Sequence, residues 1–360
     1  MQGCIQKRGK KYYVVLAING SRKWFKGGST KRAAQRVLND KIGEINAGTY
    51  REMPKTTFKT FSNHWLKTYA SVNVKPSTYS RYEDIVERLL VPAFWFYQMS
   101  DISTGQLQLF ISERLKKVSA RTVIQEIVVI KLMFKHAMKW GYVKFNAAEN
   151  LDRPKVEKAE IELLTPEEIE KFLGATTGHY RVAFLTAVLT GMRAGELWGL
   201  PWSDVDFTAK QICIKRSLWH GSFQTPKSKK SVRKIDIPDS LLSELKKWKL
   251  ACPISEDNLD LVFPDRNGNP TPHDNAIRRH FIPALKIAKL PRVSFHSLRH
   301  TNASIRIQAG QNIKYIQSQL GHSSINITMD TYGHLFNDAN FSRQQVELLE
   351  QSFRNINQVS

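Results

Sequence analysis

The chain has 360 residues, 41% of them hydrophobic and 24% charged, a globular composition too long for one small core. It carries 54 Lys and Arg against 32 Asp and Glu, and the formal net charge of +22 attracts polyanions, nucleic acid above all. No apolar run is long enough to span a membrane, the segment Met1–Arg8 lacks the apolar core of a secretory signal, and Cys4, Cys213 and Cys252 show no zinc spacing, so the expectation is a reducing cytoplasm and no membrane partner.

The positive charge is densest at the start. Residues 1–50 hold eleven Lys and Arg against Asp40 and Glu44, a net of +9. There Lys11–Ile18 is rich in Tyr and Val, Asn19-Gly20 is a two-residue hairpin signal, and Ser21–Lys26 reads as the returning strand. Gly27-Gly28-Ser29-Thr30 breaks the pattern, and Lys31–Ala47 reads as a helix stopped by Gly48. A small sheet with Lys7, Arg8, Lys10, Lys11, Arg22, Lys23 and Lys26 beside Tyr12, Tyr13 and Trp24 suits a surface laid on DNA. In a module this small some of the same rings also form the core.

A polar linker at 51–57, containing Pro54, leads into a helical block. Phe58, Phe61, Trp65 and Tyr69 recur at i, i+3, i+7 and i+11, one helix face. Pro76-Ser77 opens a second helix running to Leu90, and Asp101–Val118 and Ala120–Lys139 supply two more. The stripes read as the core of an all-α domain. Asp152–Glu162, charged and carrying Pro154, is a second linker. Thr165-Pro166-Glu167-Glu168 then has capping-box spacing with Pro at the first helical position. From there to about 340 the chain reads as mainly helical, with a small antiparallel sheet at Gln211–Leu218 and Val232–Ile237. The expected layout is multidomain: 1–52, a β-sheet-plus-helix module; 57–150, all α; 163–340, mainly α; and a tail, 341–360.

Four segments of the third domain carry unusual polar residues. Arg193 stands where an apolar helix stops at Gly191 and another begins near Glu196. Lys227, Lys229 and Lys230 crowd the turn Thr225–Ser231, a natural phosphate contact. His296 and His300 flank Arg299 at i and i+4, the spacing of a zinc helix. A metalloprotease of that type needs Glu after the first His, where this chain has Ser297, and no third ligand follows, so the cluster reads as an anion site without metal. Gly321-His322 ends one helix, and Tyr332 lies on the next.

Taken in order, Arg193-x-x-Glu196, a hairpin lysine, His296-x-x-Arg299-His300, Gly321-His322 and Tyr332 resemble the tyrosine recombinase (phage integrase) family. The resemblance covers the whole third domain. It extends more loosely to the first two, as in the three-domain integrases of phages and conjugative transposons. Phe94-Trp95-Phe96-Tyr97 departs from the small glycine-containing turn of that family's central domain.

The resemblance implies an arm-binding sheet domain, a core-binding helical domain and a catalytic domain that cuts and rejoins DNA through a 3′-phosphotyrosine. It implies Tyr332 as nucleophile and Arg193 and Arg299 as phosphate clamps. His296 would assist proton transfer from the tyrosine and bind a phosphate oxygen, and His322 would hydrogen-bond another. Lys227 would be the general acid, with Lys229 and Lys230 on the same turn as alternatives; Glu196 and His300 would buttress the site. No cofactor or metal is implied. The implied partners are double-stranded DNA at attachment sites, a homotetramer on that DNA, and accessory DNA-bending or directionality factors. The implied location is the nucleoid-associated cytoplasm of a bacterial host. Competing readings are a type IB topoisomerase-like relaxing enzyme, a DNA-binding regulator that lost the chemistry, and a zinc hydrolase.

Phe341, Leu348, Leu349, Phe353 and Ile356 recur near helical spacing, which suits a tail docking on a neighbouring protomer. Deleting residues 341–360 is expected to leave single-site DNA binding intact and to damage higher-order assembly in gel-shift experiments. Unchanged synaptic complexes would refute the docking.

Overall fold

The computed structural model describes residues 3–18, 20–48, 50, 53–156, 162–224, 232–253 and 259–333, with 343, 346, 347, 349, 350 and 354 beyond them. The lysine turn 225–231 and most of the tail 341–360 therefore lie outside the described residues. The chain divides into two compact units, 1–157 and 158–360. Both units are mostly helical around small antiparallel sheets.

The first unit begins with a three-stranded meander, β1 (Gly3–Arg8), β2 (Lys11–Ile18) and β3 (Ser21–Gly28), followed by α1 (Lys31–Asn46). Val14, Leu16 and Ile18 alternate onto one face and pack with Ala34 and Leu38 of α1. The register sends Arg8 and Lys11, Gln6, Tyr13 and Lys26, and Ala17 and Arg22 to the other face, with Trp24 opposite Val15. There the Arg8 guanidinium lies 4.1 Å from the centre of the Trp24 ring. Lys7 and Lys23 fall in the opposite phase, paired with Tyr12 and Leu16, and Lys10 sits in the β1–β2 turn.

Two sequence expectations change here. β1 was not anticipated, and β3 continues through Gly27 and Gly28 instead of breaking there. The glycines serve helix packing: a Cβ on Gly27 would come within 2.6 Å of the Ala34 Cβ.

The helical part follows. α2 (Phe58–Trp65) passes through a π turn (Leu66–Ala70) into α3 (Ser71–Asn73). α4 (Pro76–Ile85) likewise passes through Val86–Leu90 into α5 (Val91–Phe94). α6 (Thr104–Leu115) starts later than expected because Ser103 and Gln106 form a reciprocal capping box, which fixes Thr104 as the first helical residue. α7 (Ala120–Lys139) has the expected bounds. Phe58, Phe61 and Trp65 are buried with Leu90, Ile127, Met133 and Phe134. Buried Glu126 on α7 receives a two-pronged grip from Arg114 on α6, with bonds of 2.7–3.2 Å. Lys144 reaches back to Glu44 of α1 at 2.6 Å. In the departing turn Phe94 is buried, whereas Trp95 and Phe96 are exposed.

The second unit opens with α8 (Pro166–Gly174), capped as expected by Thr165 and Glu168. α9 (Gly178–Thr190) and α10 (Ala194–Trp198) meet at the left-handed Gly191. β4 (Val205–Asp206), β5 (Gln211–Ile214) and β8 (Arg233–Asp236) form one sheet in the order β4-β5-β8, and β6 (Ser217–Trp219) pairs with β7 (Ser222–Gln224) as a separate hairpin. The single strand expected over Gln211–Leu218 is thus two. At the break Lys215 turns to Asp204, and Arg216 donates to the Gly199 carbonyl at 2.9 Å. α11 (Asp239–Ala251), α12 (His273–Ala276), α13 (Ile282–Ile287), α14 (Phe295–Gln308), α15 (Ile313–Leu320) and α16 (Ile325–Tyr332) complete the described fold. Ile212 and Ile235 pair across the sheet in a core shared with Phe184, Trp198, Phe281 and Leu298. Among the described residues no helix is long and apolar enough to cross a membrane.

Candidate active site

The site grows around one buried carboxylate. Glu196, 6% exposed on α10, accepts from both terminal nitrogens of Arg233 at 3.0 and 2.9 Å. It also accepts from the backbone N–H of Arg193 at 2.9 Å and from that residue's guanidinium at 3.0 Å. Burial pushes the Glu196 carboxyl up, but hydrogen bonds and charge from Arg233, then charge from Arg193, overcome this and hold it at about 2.

Arg233 was not singled out in the sequence, although a signal was there. It shares the alternating phase of β8 with Ile235, which is fully buried, so a cation stands where the strand turns inward. Its Nε also donates to the Gln319 carbonyl at 2.8 Å.

Two helix ends supply the next layer. α9 stops at Gly191 and α15 at Gly321, both left-handed, with φ of 64° and 65°. Arg299 on α14 is 3% exposed and bridges them, donating to the Gly191 and Leu320 carbonyls at 2.7 Å each. Arg193 donates to the Gly321 carbonyl at 3.3 Å. The negative ends of two helices thus hold two guanidiniums. Neither glycine is replaceable without strain, since a Cβ on Gly191 would fall 2.6 Å from Leu320 and one on Gly321 2.8 Å from Arg233.

Three guanidiniums against one carboxylate leave this knot at about +2, the charge pattern of an anion site. Burial, then the neighbouring Arg193 and Arg233, lower Arg299 to about 9. The histidines respond to the same field. Burial first and the surrounding cations second depress His296 to about 4 and His322 to about 3, so both are neutral near pH 7. His322 Nδ1 lies 2.8 Å from the Thr328 hydroxyl.

Tyr332, the last residue of α16, is 2% exposed and packs with Ala303, Ile307, Ile316 and Leu320. Burial raises its phenol to about 12 against the opposing pull of Arg299. Its hydroxyl sits 2.6 Å from Nδ1 of His300. His296 was expected to be its partner; among the described residues no hydrogen bond joins His296 to Tyr332, and His296 packs edge-on against His300 at 4.8 Å between ring centres.

The structure therefore brings together Arg193, Glu196, His296, Arg299, His300, His322 and Tyr332, and adds Arg233. Lys227, Lys229 and Lys230 lie outside the described residues, on the segment that enters β8 two residues before Arg233.

A model of the phage integrase family matches residues 162–338, and a model of the phage integrase N-terminal SAM-like domain matches residues 57–115. The chain belongs to the phage integrase family. It is a tyrosine-type site-specific DNA recombinase. A tyrosine recombinase XerC-like protein of Caldanaerobacter subterraneus subsp. tengcongensis is 28% identical to this recombinase over 369 residues, 91% of this chain and 94% of the relative. The fold resembles that of the Tn1549 transposon integrase solved with a circular intermediate DNA (TM-score 0.70, 21% identity, 81% of this chain and 99% of that one). It also resembles a lambda integrase tetramer solved on a Holliday junction (TM-score 0.62, 21% identity, 89% of this chain and 95% of that one).

The carboxylate predicts an acid response. Glu196's folded value lies below the ordinary 4.5, so the stability it contributes is full above that value and is lost as pH falls toward 2. Glu196→Gln is expected to cost about 3 kcal/mol near neutrality by removing the negative charge that the Arg233 and Arg193 guanidiniums surround. In urea unfolding the gap between wild type and variant narrows below pH 4.5. A gap that is constant with pH would contradict this ion pair.

Proposed function

We propose that this recombinase cuts and rejoins DNA at attachment sites of a phage or other mobile element through a covalent 3′-phosphotyrosine at Tyr332. The observation that carries the reading is the convergence of Arg193, Arg299, neutral His296 and His322, and Tyr332 on one net positive cluster between two helix ends. A phosphodiester repels nucleophiles, and in-line attack adds charge to its non-bridging oxygens. Arg193 and Arg299 offer planar, permanently charged donors to those oxygens. His296 and His322, uncharged near neutrality, donate hydrogen bonds to them. Glu196 and Arg233 act through Arg193 by fixing its backbone and side chain. A lysine of the turn 225–231, Lys227 by its place in the motif or else Lys229 or Lys230, protonates the departing 5′ oxygen. The covalent intermediate conserves the energy of the cut bond, so a 5′ hydroxyl of another strand reverses the attack without a cofactor.

In the same proposal the recombinase works as a tetramer on two duplexes in a bacterial cytoplasm, alongside accessory bending or directionality factors. The helical part of the first unit grips the core site, and the N-terminal sheet binds arm DNA through the face bearing Arg8, Lys11, Arg22 and Lys26.

Two measurements test this. The enzyme is incubated with duplex from an element–host junction, nicked just 3′ of the cleavage position so that the short 5′-hydroxyl fragment escapes. Wild type is expected to leave a covalent adduct on a denaturing gel and Tyr332→Phe none; an adduct in the variant would move the nucleophile elsewhere, and tight binding with no adduct in either would favour a regulator. For the sheet, Arg8→Ala, Arg22→Ala or Lys26→Ala should each reduce the slope of log affinity against log salt by about 1 on arm DNA. Unchanged slopes would remove that face from the interface.

A further inference from the structure

We propose that His300, not His296, is the catalytic residue that accepts the Tyr332 proton during cleavage. The inference rests on the reading of Tyr332 as nucleophile. The carrying observation is geometric: Nδ1 of His300 lies 2.6 Å from the Tyr332 hydroxyl, and the rest of the phenol is walled in by Ala303, Ile307, Ile316 and Leu320. The i, i+4 spacing on α14 stacks the two histidines along one face, and the pair divides the labour. His296 stands beside Arg299 and Arg193, where the phosphate is gripped. His300 stands one turn further on, at the tyrosine.

The protonation states agree. Burial and the adjacent Arg299 lower His300, so near neutrality it is an uncharged imidazole whose Nδ1 lone pair accepts from the phenol. The titratable and charged groups facing it are His296 and Arg299 from α14, His322 from the turn after α15 and Tyr332 from α16. Tyr332, at about 12, holds its proton far too tightly to lose it to a neutral imidazole before the attack. The transfer therefore accompanies bond formation. The Oη–P bond forms as the Oη–H bond breaks toward Nδ1. The P–O5′ bond breaks, and its oxygen takes a proton from the turn lysine. On rejoining, imidazolium returns the proton to the departing phenolate.

The test is the rate of adduct formation on the nicked duplex, with oxygen or sulfur at the bridging 5′ position, across the neutral to alkaline range. Sulfur leaves without a general acid, so only nucleophile-side defects persist on it. His300→Ala is expected to slow adduct formation by about 10²–10⁴-fold near neutrality. The loss should be equal on both substrates and shrink as pH rises and solvent base replaces the imidazole. His300→Gln keeps a hydrogen-bond acceptor at the hydroxyl but takes no proton; it should fold and bind DNA as wild type does and show the same kinetic loss. Three results would overturn the proposal: a loss that vanishes on the sulfur substrate, a loss that is constant with pH, or full activity in His300→Gln. An adduct formed by Tyr332→Phe would instead defeat the nucleophile assignment itself, whatever the His300 variants do.

Discussion

The second unit is organised around the ion pair between Glu196 and Arg233. A carboxylate with so little access to water is tolerable only because two guanidiniums saturate it, and each guanidinium is committed elsewhere as well. Arg233 ties it to the end of α15 through the Gln319 carbonyl, and Arg193 ties it to the end of the same helix through the Gly321 carbonyl. One interaction thereby fixes the sheet, α10 and α15 relative to one another. Arg299 then locks α9 to α15 from the other side. Left-handed glycines at both helix ends turn the carbonyls inward, which makes the positions of the arginines a consequence of backbone geometry more than of side-chain choice.

The electrostatics follow from that construction. The knot has more positive than negative charge, and burial first, then the neighbouring Arg193 and Arg233, lowers Arg299. In the proposed reaction a phosphodiester would bring negative charge to balance this surplus, and in-line attack would add to it. The same burial that strengthens the arginine field keeps the nearby histidines neutral and Tyr332 protonated.

Much of this was legible in the sequence where local chemistry dictates local structure. The box of Thr165 and Glu168, the stripe of Phe58, Phe61 and Trp65, the hairpin spacing before Ser21 and the stop at Gly191 each act within a few residues and appear as read. What escaped depends on contacts that only the folded chain makes. β1 is mostly polar, and only its pairing with β2 makes it a strand. Gly27 looked like a breaker because the following helix was visible in the sequence but its close approach to the strand was not. Arg233 was not singled out, although its strand phase marks it as inward. His300 was separated from Tyr332 by 32 positions, so the motif named both residues but not the bond between them.

In the proposed reaction the arginine knot acts through its charge on the scissile phosphate. This is tested most directly by replacing that phosphate with an uncharged methylphosphonate in the nicked substrate and measuring adduct formation by wild type, Arg193→Ala and Arg299→Ala. Each arginine variant is expected to be severely slowed on the phosphate and to recover most of that loss on the methylphosphonate, where there is little charge to neutralise. An equal loss on both substrates would contradict it, and would make the arginines supports of the fold instead of partners of the reacting phosphate.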